Sequence, residues 1–232
     1  VLACFVLIQV LTAAGGMTSL LKGILVPLCT YVILAVSLNL TVGILGELSL
    51  GHAGFMCIGA FTSAAFTKAT MDTFTNAGLR FFVALIIGAV CAGIFGFLIG
   101  IPVLRLKGDY LAIVTLAFGE IIKNIINVLY VGIDSNGIHF SMKDQMSLGM
   151  EPGGKMIISG AMGITGTPRQ STFTIGVILI LVTLFVVLNL INSRDGRAIM
   201  AIRDNVIAAE SIGINVTKYK LMAFTISAAM AG

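Results

Sequence analysis

The chain has 232 residues, of which 58% are hydrophobic and only 10% are charged, and its formal net charge is +4. Soluble domains carry about 25% charged residues, so this composition, with a mean hydropathy of +1.07, excludes a soluble globular domain and predicts an integral membrane protein. The small positive charge fits cytoplasmic loops, and we expect no nucleic-acid partner.

Apolar stretches of helical length follow one another along the chain. After a short stretch at residues 1–14, the longer ones cover residues 24–45, 48–66, 82–104, 110–131 and 173–191. About 20 apolar residues cross a bilayer as a helix, and the strand alternation of a membrane barrel is lacking. A further stretch starts at Leu221, and the chain stops within it. The sequence therefore predicts an all-α, polytopic transmembrane helix bundle, a fragment with about seven membrane segments of which the last is truncated.

The stretch GILGELSLGHAGF, residues 43–55, places Glu47, Ser49 and His52 among four glycines where two apolar stretches meet. Only two residues separate these stretches, which is too few for a regular hairpin. We therefore predict a broken helix or re-entrant turn, whose freed backbone groups must face protein or water. Interrupted helices form the substrate sites of many transporters, so these three residues and Asn39 are candidates for a translocation path or helix break; ordinary packing of His52 is the alternative.

One face of the span at residues 110–131 is polar. At 100° per residue, five side chains fall within about 100° of arc: Asp109, Glu120, Lys123, Asn124 and Asn127. A charge at mid-membrane costs roughly 2.5–3.5 kcal/mol, so this face cannot contact lipid. Either Glu120 and Lys123 form a pair buried between helices, or the face lines a polar route.

Another helix face carries small residues at every fourth position: Gly88, Ala92, Gly96 and Gly100. Small residues at this spacing let two helix backbones approach closely in a membrane. The pattern predicts a tightly packed bundle.

No catalytic or metal-binding motif is found. His52 and His139 are far apart, and the four cysteines form no C-x-x-C pair, so packing roles are expected for the cysteines. Residues 149–155 match the first seven positions of a phosphate-binding loop, but Met156, at the eighth, stands where Ser or Thr must bind magnesium. We expect no enzyme activity, no cofactor, no metal and no ATP binding in this chain.

Basic residues predict the orientation of the loops. Residues 192–220 carry five of them and are placed in the cytoplasm, which puts the polar loop of residues 132–172 outside. In the cytoplasmic loop, Ile199, Ile202, Val206 and Ala209 recur at helical spacing and predict a short amphipathic helix. Gly213 is expected to end this helix and Thr217 to cap the next one. The apolar face must pack on its own protein or dock a partner.

Here the sequence resembles the coupling loop of ATP-binding-cassette importer permeases, with Ala208-Ala209-Glu210 followed by Gly213. Three further stretches are similar to one subfamily, the branched-chain amino-acid permeases, and specifically to its larger permease type: residues 38–61, residues 104–125 and, more loosely, 135–138 with 163–169. Two positions depart from the family pattern. Glu47 stands where Gln is usual, and Gly132-Ile133 stands where a Gly pair is usual.

The resemblance implies a single permease domain, residues 1–232, of an importer in the bacterial inner membrane. It would translocate leucine, isoleucine or valine delivered by an extracytoplasmic binding protein. Implied partners are two ATPase subunits, which hydrolyse the ATP, a second homologous permease and membrane lipid. The implied coupling residues in the loop at 192–220 are Arg203, Asp204, Ala208, Ala209, Glu210 and Gly213.

Two alternatives stay open on the sequence. A sister permease of the same superfamily would carry urea, short amides or sugars, and the coupling loop does not separate these substrates. An ion-coupled secondary transporter or channel would use Glu47, Glu120 and Lys123 as an ion relay, and it would have no use for the amphipathic helix of the cytoplasmic loop.

Overall fold

The structure, a computed structural model, describes residues 5–6, 8–10, 18–71, 76–106, 108–134, 137–143, 145–149, 154–168 and 170–232. Its main helices are α1 (Ser19–Asn39), α2 (His52–Ala69), α3 (Ala77–Val103), α4 (Asp109–Val128), α5 (Phe173–Asn192), α6 (Arg194–Asp204), α7 (Val206–Ser211) and α8 (Val216–Ala231). A π-helical turn, Leu40–Ile44, follows α1. The strands are β1 (Tyr130–Asp134), β2 (Gly137–Ser141) and β3 (Lys155–Ser159).

Four segments in the described ranges are long and apolar enough to cross a membrane: Ser19–Ile44, Ala77–Val103, Tyr110–Val128 and Phe173–Asn192. The predicted polytopic helical membrane protein is confirmed. The count of about seven segments stays a prediction, and most of the first apolar stretch lies outside the described residues. α2 has 18 residues but is less apolar, because it contains His52, Lys68 and several small or hydroxyl side chains.

The loop at residues 132–172 contains structure that an all-α prediction omits. β1, the central strand, pairs antiparallel with β2 and with β3, in the order β2-β1-β3. Val131, Ile157 and Ile158 form its buried cluster, and Phe61 of α2 packs against them. The sheet was missed because glycine, serine and charged residues separate strands of only five residues.

The chain divides into two compact units. The first comprises Val1–Glu47 and Ser171–Ala223, and the second comprises Leu48–Gln170 and Phe224–Gly232. In the first unit, α1 packs along α5 around buried Cys29, Val177 and Ile180. Burial of Cys29 as a free thiol agrees with the predicted packing role. The expected single permease domain stays a prediction.

In the second unit, α2 packs against both α3 and α4, and the predicted small-residue face of α3 is at the contact. All four of its residues are buried. A Cβ at Gly88 would lie 2.9 Å from the carbonyl oxygen of Gly59 on α2, and a Cβ at Gly96 would overlap the Cβ of Ala228 on α8. The prediction of closely packed backbones is therefore confirmed.

This packing predicts opposite effects for the same substitution at two glycines of α3. Gly96→Ala should lower the free energy of unfolding by about 1–3 kcal/mol, because the added methyl group has no space. Gly78→Ala should raise it by up to about 1 kcal/mol, since nothing lies within 4 Å of the new methyl group and alanine favours helix. Thermal unfolding in detergent measures both, and equal effects would contradict the packing.

Candidate functional site

The predicted interruption between α1 and α2 is present. α1 ends at Asn39, the π-helical turn covers Leu40–Ile44, and residues 46–51 are not helical before α2 begins at His52. The predicted spacing of only two residues is wrong. Leucine residues at 45, 48 and 50 give the same hydropathy pattern whether they are helical or extended, so the apolar pattern continues through the break.

Backbone hydrogen bonds hold the end of this turn. Leu45 N donates to Leu40 O at 3.1 Å, and Glu47 N donates to Thr41 O at 3.0 Å. Between them Gly46 has φ +79°, a conformation that L side chains rarely adopt, and a Cβ there would lie 2.6 Å from Arg203 Cγ. Glycine at position 46 is thus required both by the turn and by the side chain of Arg203 that lies over it.

Asn39, a candidate from the sequence, lies at the break with an exposed side chain. Its Oδ1 occupies the space that a Cβ of residue 43 would need. Asn39 therefore packs over Gly43, within the same turn. A side chain at position 43 would collide with Asn39, and this contact explains the glycine there. The backbone of Gly43 does not have a positive φ angle.

Glu47 forms an ion pair with Lys220 of α8, and both residues belong to the first unit. The side chains are only 17% and 11% exposed, respectively. Glu47, a candidate from the sequence, thus has a side-chain partner at the break. The sequence analysis counted Lys220 only among the basic residues of the loop at 192–220. The pair could not be predicted, because no spacing pattern relates residues that are 173 positions apart. Each charge compensates the other, which matters because an unpaired buried charge is costly.

His52 and Ser49 lie in the second unit, with a different partner. His52 Nε2 and Ser227 Oγ of α8 are 3.0 Å apart, and the His52 ring meets Phe55 edge-on. Both His52 and Ser49 are buried. Among the described residues, His52 Nδ1 and Ser49 Oγ have no hydrogen-bond partner. Glu47 and His52 thus each contact a different residue of α8.

The start of α2 is fastened to α4 by Thr115, which the sequence analysis did not single out. Leu50 N donates to Thr115 Oγ1 at 3.1 Å, and Thr115 Oγ1 donates to Ala112 O at 2.9 Å. A Cβ at Gly51 would overlap the carbonyl oxygen of Thr115. A buried hydroxyl in an apolar helix is the signal that could have identified this residue.

The polar face of α4 contains the predicted Glu120–Lys123 pair, with Lys123 Nζ 3.0 Å from Glu120 Oε2. Its side chains are 56% and 59% exposed, so no described helix covers them, and the interpretation of a pair buried between helices is wrong for this part of the chain. Asn124 is exposed beside it. The side chain of Asp109 lies outside the described residues. Gly119 and Ile122, on another face of α4, contact Gly54 of α2.

The loop at residues 192–220 forms two helices where one was predicted. Asn205 has extended backbone between α6 and α7, and its Oδ1 accepts a hydrogen bond from Ala208 N at 3.1 Å. Asn205 thus caps α7, a role that asparagine fills well. Gly213, with φ +85°, follows the end of α7 as predicted. Asn215, rather than Thr217, caps α8 by accepting from Lys218 N at 3.1 Å.

α6 packs on its own unit. Ile199 and Ile202 are almost completely buried, and Arg203 Nη1 donates to the carbonyl oxygen of Gly43 in the π-helical turn at 3.0 Å. Arg203 also pairs with Asp204 at 3.1 Å. The first half of the predicted amphipathic helix therefore covers its apolar face internally and connects the loop with the break.

α7 is different, because its apolar side chains face outward. Ile207 is 77% exposed and Ile212, just after the helix, is 75% exposed, while Ala209 is buried. Val206, predicted on the same inward face as Ala209, is 36% exposed because the break at Asn205 changes the helical register. Glu210 is exposed beside Ile207. The described residues leave this apolar surface uncovered.

Breaking the Glu47–Lys220 pair should lower stability more than breaking the exposed Glu120–Lys123 pair. Glu47→Gln should lower the free energy of unfolding by roughly 1–3 kcal/mol, because Lys220 keeps an uncompensated charge in a mostly buried position. Adding Lys220→Met should recover much of the loss. The matched change Glu120→Gln, in the exposed pair, should cost at most about 1 kcal/mol. Thermal unfolding of these three variants and of Lys220→Met alone tests this, and additive single effects at Glu47 and Lys220 would contradict the pair.

Comparisons with known proteins agree with the resemblance. A family model described as "Branched-chain amino acid transport system / permease component" matches residues 20–232. The high-affinity branched-chain amino acid transport system permease protein LivM of Salmonella typhimurium is 38% identical over 211 residues, and that of Escherichia coli K12 is 39% identical over 212. Each alignment covers 87% of this chain and 48% of the relative, so the chain spans about half their length. No solved structure gives a significant match. The chain belongs to the family of permease components of branched-chain amino acid transport systems.

Proposed function

We propose that this chain is part of the membrane-spanning permease subunit of an ATP-binding-cassette importer for branched-chain amino acids. ATP is hydrolysed by two separate ATPase subunits, a second homologous permease completes the pathway, and an extracytoplasmic binding protein delivers the substrate at the bacterial inner membrane. Family membership and the names of the two relatives support this proposal. One observation of this chain carries the coupling step, namely the uncovered apolar surface of α7.

The surface of α7 fits a docking helix. It is formed by Ile207 on the helix and Ile212 just after it, with Glu210 beside them, and the helix of six residues is far too short to cross a membrane. An apolar helix surface outside the bilayer gains roughly 1.5–3 kcal/mol for each large side chain that a partner buries. Insertion of such a helix into a groove of the partner is a common mode of recognition. We assign this partner as the ATPase.

Contacts within the first unit connect α7 with the break after α1. α6 leads directly into α7, its Ile199 and Ile202 are buried, and its Arg203 bonds the carbonyl of Gly43 and lies over Gly46. A displacement of α7 by the ATPase therefore reaches the turn that carries Glu47. For ATP to shift the permease between two states, contacts of this kind must differ between those states. Arg203, Asp204, Ala208, Ala209, Glu210 and Gly213 are our proposed coupling residues.

We assign the polar face of α4 to the translocation path. Glu120, Lys123 and Asn124 are exposed on a segment long and apolar enough to span a membrane. Charged side chains in such a segment face water or another protein rather than lipid. Asp109 is proposed at the end of the same face. Asn39, Glu47, Ser49 and His52 are proposed to shape the break between α1 and α2.

Neither alternative function gains support. An ion relay through Glu47, Glu120 and Lys123 requires charged groups that are free to exchange ions, whereas Glu47 is paired with Lys220 in a mostly buried position. For urea, amides or sugars, nothing in the matched family or in the names of the relatives points to such substrates.

The docking assignment predicts a selective loss of transport. Ile207→Asp should abolish most leucine uptake and the co-purification of the ATPase, because a carboxylate replaces the apolar anchor, while the amount of inserted permease is unchanged. Thr217→Asp is the matched control: it adds the same charge to the same loop in the first turn of α8, where a negative charge is favourable. Uptake in proteoliposomes and pull-down of the ATPase measure both variants. Normal uptake by the Ile207→Asp variant would refute the assignment.

The path assignment predicts a pattern of water accessibility along α4. In a variant without the native cysteines, Asn124→Cys should react with a membrane-impermeant thiol reagent in the assembled transporter, and leucine should slow the reaction. Ile125→Cys, one residue further and about 100° around the helix, should stay unreactive. If both positions were inert, a protein surface rather than water would cover the polar face.

A further inference from the structure

The second unit contains an apolar groove of about 260 Å³ that the proposed transport mechanism does not use. Residues 58–65 of α2 form one wall, and residues 122–126 of α4 form the other together with Leu129, which follows the helix. Phe95 of α3 and Ile158 of β3 complete it. The groove therefore lies at the end of α2 and α4 that is nearest to the three-stranded sheet.

The chemistry of the lining excludes a charged or zwitterionic occupant. Every lining side chain is a hydrocarbon except Thr62. The hydroxyl of Thr62 already donates to the carbonyl oxygens of Ile58 at 2.7 Å and Gly59 at 3.1 Å. A free amino acid would bring an ammonium and a carboxylate group without partners, and burying such charges is strongly unfavourable. Only an aliphatic chain suits these walls.

The position of the groove indicates where such a chain comes from. Phe95 is 46% exposed and Ile125 is 51% exposed, so the groove is open along one side. Both residues belong to segments that can cross a membrane. Seven residues of helix rise by about 10 Å, which is about two thirds of the roughly 15 Å occupied by the acyl chains of one leaflet. The open side faces the region that lipid tails fill.

A cation marks the end of the groove beside the sheet. Lys68 follows Phe61 and Ala65 along the same face of α2, at the spacing of successive helical turns. Its Nζ donates to the carbonyl oxygen of Thr165 at 2.9 Å, which holds the side chain in place. An ammonium group has three donors, so two remain for another acceptor. A phosphate oxygen is such an acceptor, and its charge complements that of Lys68.

We propose that this groove binds one acyl chain of a membrane phospholipid whose phosphate group lies beside Lys68. An aliphatic tail fills the hydrocarbon walls, the length of the groove matches the outer part of a leaflet, and the headgroup meets the one cation at that end of α2. This is a specific lipid site of the permease, and it is independent of the proposed transport function.

Photolabelling in lipid nanodiscs tests the proposal on the full-length permease. The probe is phosphatidylglycerol with a diazirine on its acyl chain, and mass spectrometry identifies the labelled peptides. In the wild type, label should concentrate on residues 58–65 and 122–129. Ala65→Phe should abolish labelling of residues 122–129 by filling the groove. Ala60→Phe, at an exposed position of the same helix, should leave it unchanged.

A second variant keeps the proposal testable even if Ala65→Phe fails to fold. Lys68→Gln leaves the walls intact and should reduce labelling by the anionic probe about fivefold, since one lysine contributes about 1 kcal/mol to anionic lipid binding. Three results would overturn the proposal: unchanged labelling in Ala65→Phe, suppression of wild-type labelling by leucine, or cross-linking of the groove residues to a neighbouring polypeptide. The second would indicate a substrate site and the third a protein interface.

Discussion

A chain within a bilayer must satisfy its polar groups from its own atoms, and this constraint shapes the region between α1 and α2. Leaving the helix frees backbone groups, and three hydrogen bonds in the structure provide partners at the break. Thr41 O accepts from Glu47 N, Thr115 Oγ1 accepts from Leu50 N, and Gly43 O accepts from Arg203. The glycines at this break leave room for neighbouring backbones and side chains to come within hydrogen-bond distance of the freed groups. Hydrogen bonds to several neighbouring groups thus stabilise the break.

Several elements could be predicted from the sequence because their cause is local. Apolar stretches of sufficient length predict helices, the four-residue period of small residues predicts close packing on α3, and Gly213 marks the end of α7. The polar face of α4 is likewise a matter of angular spacing. In each case the information lies within one helix, so hydropathy and geometry suffice.

Other elements depend on contacts or choices that a local pattern does not contain. Lys220 meets Glu47 across 173 positions, so only the folded chain reveals the pair. Asn205 interrupts an otherwise regular helical pattern because its side chain caps α7, and a capping residue within a period looks like any polar residue. The sheet beside α4 consists of strands too short to stand out among turn residues. The exposure of Glu120 and Lys123 is also a property of the fold, which the residue spacing along α4 does not contain.

The π-helical turn Leu40–Ile44 has a consequence for changes in chain length. A π-helical turn contains one more residue than the α-helical turn it replaces, so the chain after α1 holds one residue more than a regular α-helix would need. Deleting one residue there would restore a regular helix and turn everything that follows by about 100°. Glu47 would then point away from Lys220, and the peptide group of Gly43 would leave Arg203. The one extra residue of the π-helical turn therefore sets the rotation about the helix axis at which Glu47 meets Lys220 and Gly43 meets Arg203.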